Sequence, residues 1–437
     1  MTYFLLPQIK AYNLKTNILS SVISSIFSEE DTHQIIMNKT LHKYLSSIKT
    51  QIDDCSMEWD KYKKYSNQYE YIHTLIPNSK QSICTLKPLS RSFYKMIEIC
   101  NLMNIMPILP PVCNSFHLAE GPGGFIEALV HLRNQPNDTY YGMTLIDNVD
   151  NNVPGWKKSN TFLLKNKNVI IETGLDEKGD LMNPENLRYC YTKYKGSMDL
   201  ITADGGFDFS VDFNNQEKTS LKLMFCQIAF AIAMQKEKGT FIIKFFDTFT
   251  KMSIDLLYLL SIVYEQVYFV KPHTSRQANS EKYIVCKGFL LNNVDDIIKK
   301  LYKIMNDFTP ANNLIALFNF DLPYFFTKQV EEYNAIFGQQ QIENIAFTLN
   351  LINNNGTNHM GANNMGTNHM GANHLGAHHL GMGTNHLINH GPNDKLETIK
   401  KNNITKCTNW CIKYNLPYHK SINITNIFLT KKNSVVS

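Results

Sequence analysis

The chain has 437 residues, 43% of them apolar, and a formal net charge of +5. That length accommodates one large domain with appendages, and the apolar share is ordinary for a globular fold, so a small disulfide-stapled scaffold is excluded. The mild positive charge admits a nucleic-acid partner without demanding one, and the excess of Lys over only four arginines (91, 133, 188 and 276), beside much Asn and Ile, reads as coding bias of an AT-rich genome.

The chain opens on "MTYFLLPQIK", which lacks the basic start and long apolar core of a signal peptide. Residues 1–88 are polar and aromatic. Apolar positions recur at threes and fours over 35–48 and 57–71, which predicts a helical N-terminal extension. Its run "EWDKYKKYSNQYEYIH" mixes Lys with Trp and Tyr. That combination suits phosphates and stacked bases, but rings at helical spacing more often face a core.

From 89 to 290 strand and helix patterns alternate. Strands are predicted at 114–120, 140–145, 169–172, 198–203, 239–244, 266–270 and 283–289. Helices are predicted at 125–133, 184–194 (opened by Pro184), 218–236 and 252–264. Repeated strand–helix units mean a mostly parallel sheet covered on both faces, and two consecutive strands at the end imply one antiparallel member. The apolar stretch 253–270 holds Asp255 and Glu265, so it reads as a core helix running into a strand and not as a membrane span.

Residues 291–350 read as a helical closing segment. A Gly/Asn/His repeat of period five occupies 351–394, with seven of the fourteen histidines, and reads as disordered. Its spacing keeps no fixed pair geometry for a metal, and none is assigned. Residues 395–437 form a tail. The nine cysteines show no disulfide framework or complete zinc set, which predicts reduced thiols in a cytoplasmic compartment.

Within the alternating region, "HLAEGPGGFIEAL" places a glycine-rich turn after a strand and before a helix. Gly121, Gly123 and Gly124 permit close backbone approach to a ligand, and the helix opening at Phe125 offers N–H donors to an anion. Pro122 interrupts the turn and separates it from the dinucleotide fingerprint. Glu120 suits an ammonium group, Asp147 past the second strand suits a ribose diol, and Asp180 with the Leu181 backbone suits an adenine amino group. An adenosyl cofactor follows. Further on, Asp204 ends the strand "MDLITAD" before Gly205 and Gly206, and Lys244 ends "GTFIIK". Lys95 in "SRSFYKM" and Glu281 in "SRQANSEKYIV" complete two amines and two acids. A lysine takes a proton from a poor nucleophile only when partly neutral; burial and a second amine favour that state, and carboxylates oppose it.

With "SRSFYKM", "AEGPGGF", "YGMTL", "GDLMNPENL", "ADGGFDFS", "FIIKFFDTFT" and "KPHTSRQANSEKYIVCKG", residues 88–290 resemble the FtsJ/RrmJ-like ribose 2′-O-methyltransferases, most of all those acting on capped messenger RNA. The resemblance implies a Rossmann-like class I methyltransferase sheet flanked by helices and S-adenosylmethionine as cofactor. It implies a catalytic tetrad of Lys95, Asp204, Lys244 and Glu281, with Lys244 taking the proton of the ribose hydroxyl. It also implies RNA contacts from Ser275, Arg276 and Asn279, with Asn214–Gln216 as further candidates, and capping or transcription machinery as partners. Glu120 stands where relatives commonly carry Asp or a smaller residue. The repeat tract adds the expectation of a member from a large cytoplasmic DNA virus. Two alternatives stand beside the cap-proximal reading: a ribosomal or transfer RNA methyltransferase, and an inactive RNA-binding subunit.

Overall fold

The computed structural model describes residues 2–9, 16–29, 36–147, 153–206, 214–356 and 392–420. Most of the repeat tract, positions 207–213 and the tail beyond 420 lie outside them. In chain order the strands are β1 (Thr2–Leu5), β2 (Ile26–Ser28), β3 (Asn114–Leu118), β4 (Thr139–Met143), β5 (Val169–Ile171), β6 (Met198–Ala203), β7 (Gln235–Phe245), β8 (Tyr264–Lys271), β9 (Lys282–Phe289) and β10 (Asn313–Ala316). The helices are α1 (Thr16–Val22), α2 (Lys39–Asp53), α3 (Ser56–Ser66), α4 (Ser92–Leu102), α5 (Gly124–Arg133), α6 (Asn160–Lys165), α7 (Pro184–Tyr194), α8 (Gln216–Met234), α9 (Lys251–Val263), α10 (Asp295–Asp307), α11 (Tyr324–Gly356) and α12 (Pro392–Lys413).

An eight-stranded sheet in the order β1-β8-β9-β7-β6-β3-β4-β5 forms the centre. Strands β7, β6, β3, β4 and β5 pair in parallel, and β9 lies antiparallel to both of its neighbours. Every residue of β6 is buried, Asp199 and Thr202 included, as suits a strand covered on both faces. Helix α8 is apolar nearly all round because it lies between layers; of its nineteen residues only a few near its N-terminus reach solvent. Local chemistry sets the helix starts: Asn183 accepts from the Glu185 N–H ahead of Pro184, and Thr250 accepts from the Ser253 N–H ahead of α9. Helix α9 runs straight into β8, as the 253–270 pattern predicts. Its Asp255 is fully buried, accepting from Lys251 and the Leu317 and Phe318 N–H groups. No helix among the described residues is long and apolar enough to cross a membrane.

Two segments differ from their sequence patterns. The N-terminal region is helical over α2 and α3, and Trp59 and Tyr62 are buried there with Ile342 and Ile345 of α11, so those rings serve packing. Its first residues, however, form β1, which pairs antiparallel with β8 from Thr2↔Lys271 to Leu5↔Tyr268 and adds a second antiparallel strand. Phe4 stacks on Tyr333 with ring centroids 4.6 Å apart, while Tyr3 and Leu5 face outward. Four residues of alternation are too short a signal to read alone. The closing segment likewise contains β10, paired with β2. At the other end of the chain, α12 buries Cys407, Trp410 and Cys411 in the core formed by Tyr71, Phe93 and Tyr94.

Candidate active site

The parallel strands leave β3 in opposite directions, to β4 and β5 on one side and to β6 and β7 on the other. Ligands of open α/β sheets bind at such a reversal, outside the carboxyl ends of the strands. Glu120 follows β3 there, Asp147 follows β4, and Asp204 follows β6. Asp180 lies in the loop after β5, and the Ile146 N–H donates to the Lys178 carbonyl at 2.7 Å, joining that loop to the one carrying Asp147.

All four tetrad residues converge. The Lys95 Nζ, in the first turns of α4, lies 2.6 Å from Glu281 Oε1. The Lys244 Nζ lies 3.3 Å from Asp204 Oδ1 and donates to the Asp204 carbonyl at 2.6 Å. Lys244 pairs across the sheet with Tyr283 of β9, whose hydroxyl donates to Asp204 Oδ1 at 2.8 Å. The Lys95 ammonium stands 5.8 Å above the same ring. Ser275 Oγ donates to Glu281 Oε1 at 2.8 Å. Three adjacent strands, one helix and one loop thus present two amines and two carboxylates to one spot. Burial alone would raise the Glu281 carboxyl, but the charges of Lys95 and Lys244 outweigh it and hold the acid well below its ordinary range. Burial lowers the Lys95 amine from the lysine range, against the pull of Glu281.

A methyl group attached to Gly206 would come within 3.1 Å of the Lys244 Nζ, so the absent side chain keeps the space in front of that amine clear. Gly205 is pinned by its N–H to Gln227 Oε1 at 3.2 Å. In the turn after β3, Gly123 takes φ +106°, a value that favours glycine. Gly121 lies against the Gly155 carbonyl, 2.5 Å from where a Cβ would sit, and Ser159 Oγ donates to the Pro122 carbonyl. At Gly124 a Cβ would meet the Ser90 and Ser92 hydroxyls at 2.2 Å, so the glycine also permits close packing of α5 on the start of α4. The Phe125 side chain is buried beside Tyr283, and its N–H, expected to serve a ligand anion, donates to Glu120 Oε1.

Glu120 tests the fit of S-adenosylmethionine. It is almost fully buried, and its Oε2 has no partner among the described residues. Burial, then the nearby Asp204 charge, raises its carboxyl well above the ordinary range. An acceptor left bare at the reversal point beside a glycine turn suits the ammonium end of the cofactor, which supplies an electrophilic methyl group when bound. Asp147, expected to meet the ribose, lies four residues after β4. Asp180, expected at the adenine, has its Oδ1 accepting from the Met182 N–H at 2.8 Å, and the Leu181 side chain lies in the core.

The expected RNA contacts divide. Ser275 is committed to Glu281. Arg276 spends its planar fork on Glu70, at 3.0 and 2.6 Å, so its first role is to brace the 272–281 loop against the N-terminal region. Asn279 Oδ1 accepts from the Glu281 N–H at 3.1 Å, and its carbonyl accepts from Lys271. Gln216 is buried and accepts from Ser280 Oγ at 2.7 Å. These residues shape the loop that carries Glu281. Tyr283, Trp156 and Lys271 were not singled out from the sequence. Tyr283 stood two residues after Glu281 on the same strand face, a period-two signal that was available. Trp156, which packs under Gly123 and Gly142, and Lys271, whose Nζ donates to the Glu281 carbonyl at 2.6 Å, gave no local signal.

Residues 88–289 match the model of the FtsJ-like methyltransferase family. Over 237 residues the chain is 31% identical to cap-specific mRNA (nucleoside-2'-O-)-methyltransferase 1A of Caenorhabditis briggsae, covering 51% of this chain and 26% of that protein. Over the same length it is 30% identical to the inactive cap-specific mRNA (nucleoside-2'-O-)-methyltransferase 1B of that organism, covering 51% and 27%. The chain therefore spans about a quarter of the length of these relatives. Among solved structures, a putative ribosomal RNA methyltransferase from Plasmodium falciparum aligns with a TM-score of 0.33 and 20% identity, covering 46% of this chain and 98% of that one.

Proposed function

We propose, from an FtsJ-like methyltransferase domain at residues 88–289, that this protein transfers a methyl group from S-adenosylmethionine to a ribose 2′-hydroxyl of RNA, at the cap-proximal nucleotide of messenger RNA. One observation carries the reading: Lys244, held by Asp204 and faced by Gly206, stands within the same cluster as the buried Lys95–Glu281 pair, at the strand reversal where the cofactor binds. In that geometry Lys244 orients the ribose oxygen and accepts its proton. Asp204 and Tyr283 fix the amine, and the Lys95–Glu281 pair holds the wall opposite. Alignment of oxygen and methyl carbon supplies much of the rate, since the donor methyl already carries a good leaving group.

The cap-proximal target rests on the names of the relatives, and a capping- or transcription-machinery partner rests on the sequence resemblance alone. A source in a large cytoplasmic DNA virus and a cytoplasmic site of action rest on composition and the repeat tract. Because an active and an inactive relative match almost equally well, likeness does not separate the enzyme from an inactive RNA-binding subunit; the assembled tetrad favours the enzyme. Incubation with labelled methyl donor and capped, uncapped and internal RNAs, followed by mapping of the modified ribose, decides. Label on the first transcribed ribose of capped RNA is expected, and Lys244→Ala should reduce it by at least about a thousandfold while cofactor affinity stays within a few-fold. Label on internal sites would favour ribosomal or transfer RNA. No label on any RNA would leave the inactive-subunit reading.

A further inference from the structure

A groove of about 380 Å³ opens beside the tetrad, formed by the segment after α3, the 272–281 loop and the middle of α11. Its size falls within the range of clefts that hold small organic ligands, roughly 300–1,000 Å³. Ser275 belongs both to this groove and to the site, through its hydroxyl on Glu281, so the groove begins one side chain from the catalytic acid. The tetrad segments other than the 272–281 loop do not line it, and most of its wall comes from outside residues 88–289.

The lining has a consistent chemistry. Tyr69 and His273 stack face to face, with ring centroids 4.6 Å apart and planes 27° from parallel. Burial lowers His273 to about 4, so this is a neutral pair of rings. Phe347 of α11 is 38% exposed and lines the groove. Asn344 donates from Nδ2 to the Ser66 carbonyl at 3.4 Å, yet its Oδ1 is shielded from solvent and has no donor among the described residues. An acceptor held dry without a donor is costly, and a turn of the Asn344 side chain toward the groove would let a ligand N–H meet it. Lys406 and Lys413 are exposed, two helical turns apart on α12, and both add positive charge at His273 of the groove. Neither forms an ion pair among the described residues, although Lys406 donates to Gln68 Oε1 at 2.6 Å. Flat rings, a bare amide acceptor and flanking lysines are the elements with which proteins hold unstacked bases and their phosphates.

We infer that this groove receives an unstacked base of the substrate RNA flanking the ribose that meets Lys244, stacked on Tyr69 and Phe347 with its edge on Asn344, while Lys406 and Lys413 hold backbone phosphate. The inference rests on the RNA-methyltransferase reading and adds to it a binding surface built by the N-terminal region, α11 and α12. It also explains why the Arg276 fork, spent on Glu70, is not needed for phosphate.

The test reads RNA affinity separately from turnover, using the full chain saturated with S-adenosylhomocysteine. Fluorescence anisotropy with a capped oligonucleotide should show at least about a tenfold loss of affinity in Phe347→Ala and in Tyr69→Ala, with S-adenosylhomocysteine binding within twofold of the unaltered protein. The exposed pair Lys406→Ala/Lys413→Ala poses no threat to folding. It should weaken binding and flatten the plot of log affinity against log salt by about one unit for each phosphate that the lysines no longer neutralise. A photoreactive base placed beside the target nucleotide should crosslink to the peptide containing Asn344 and Phe347. Unchanged affinity and salt slope in all variants, or crosslinks only elsewhere, overturn the inference even if methylation is normal. Crosslinking from the cap guanine alone, with no crosslink from transcribed bases, also overturns it, because the groove would then belong to the cap. If RNA binds through this groove and no RNA is methylated, the groove stands and the enzymatic reading falls.

Discussion

Glu120 has one oxygen that accepts from the Phe125 N–H and one that accepts from nothing among the described residues. Its raised carboxyl pKa, caused by burial and then by Asp204, means that the free protein keeps the proton to higher pH than an ordinary glutamate does. A cofactor ammonium stabilises the anion, so binding must expel that proton, and affinity should rise as pH climbs through the raised value. Calorimetry of S-adenosylhomocysteine at a series of pH values, each in two buffers of different ionisation enthalpy, should detect proton release wherever the free carboxyl still holds its proton. Glu120→Gln should abolish the release and weaken binding about ten- to a hundredfold, the scale of one charged hydrogen bond. Identical heats in both buffers at every pH for the unaltered protein would place the ammonium elsewhere. Single residues were legible in the sequence where chemistry and strand ends coincide, as with Glu120, Asp204 and Lys244. Arg276 was not, because its partner Glu70 lies 206 positions away and nothing local announces a carboxylate aimed at it.

Among elements, the 272–281 loop depends most on others. Arg276 ties it to the turn at Glu70, Lys271 bonds the carbonyls of Asn279 and Glu281, and the His273 and Thr274 N–H groups donate to buried Glu98 of α4. The Glu70 side chain is only 2% exposed, so Arg276→Ala leaves a buried carboxylate without its two-pronged partner, with His73 Nε2 3.9 Å away and the Arg91 charge acting on it. A loss of about 3 kcal/mol in urea unfolding is expected, the low end of what breaking a buried pair costs. Loss of less than about 0.5 kcal/mol would show the pair to be no stronger than one on the open surface. The strand–helix alternation from β3 to β9 was readable because each element is long and periodic, and α7 and β6 fall on the boundaries their patterns predict. The short strands β1, β2 and β10 were not, since three or four residues carry no distinguishable period and their pairing is settled by distant neighbours.

At the scale of the molecule, segments on either side of residues 88–289 complete the core instead of decorating it. Trp410 of α12 is 3% exposed and meets Tyr94 edge-on at 5.9 Å, and the segment after it is tied back by the Thr85 N–H to the Pro417 carbonyl and the His419 N–H to the Ile83 carbonyl, both at 3.0 Å. Trp410→Ala should therefore cost about 3–5 kcal/mol, measured by urea unfolding, as for a ring removed from a packed core. A loss below about 1 kcal/mol would mean that α12 lies loosely on the surface. The pairing of Thr2–Leu5 with residues 268–271 has a consequence for how the protein is made. At ribosomal speeds of about 5–20 residues per second, the first strand leaves the exit tunnel on the order of 15–50 s before its partner is translated. Until then it is a short nascent ribbon without its partner strand, and the β8 border of the sheet is sealed only once Tyr268–Lys271 have been synthesised.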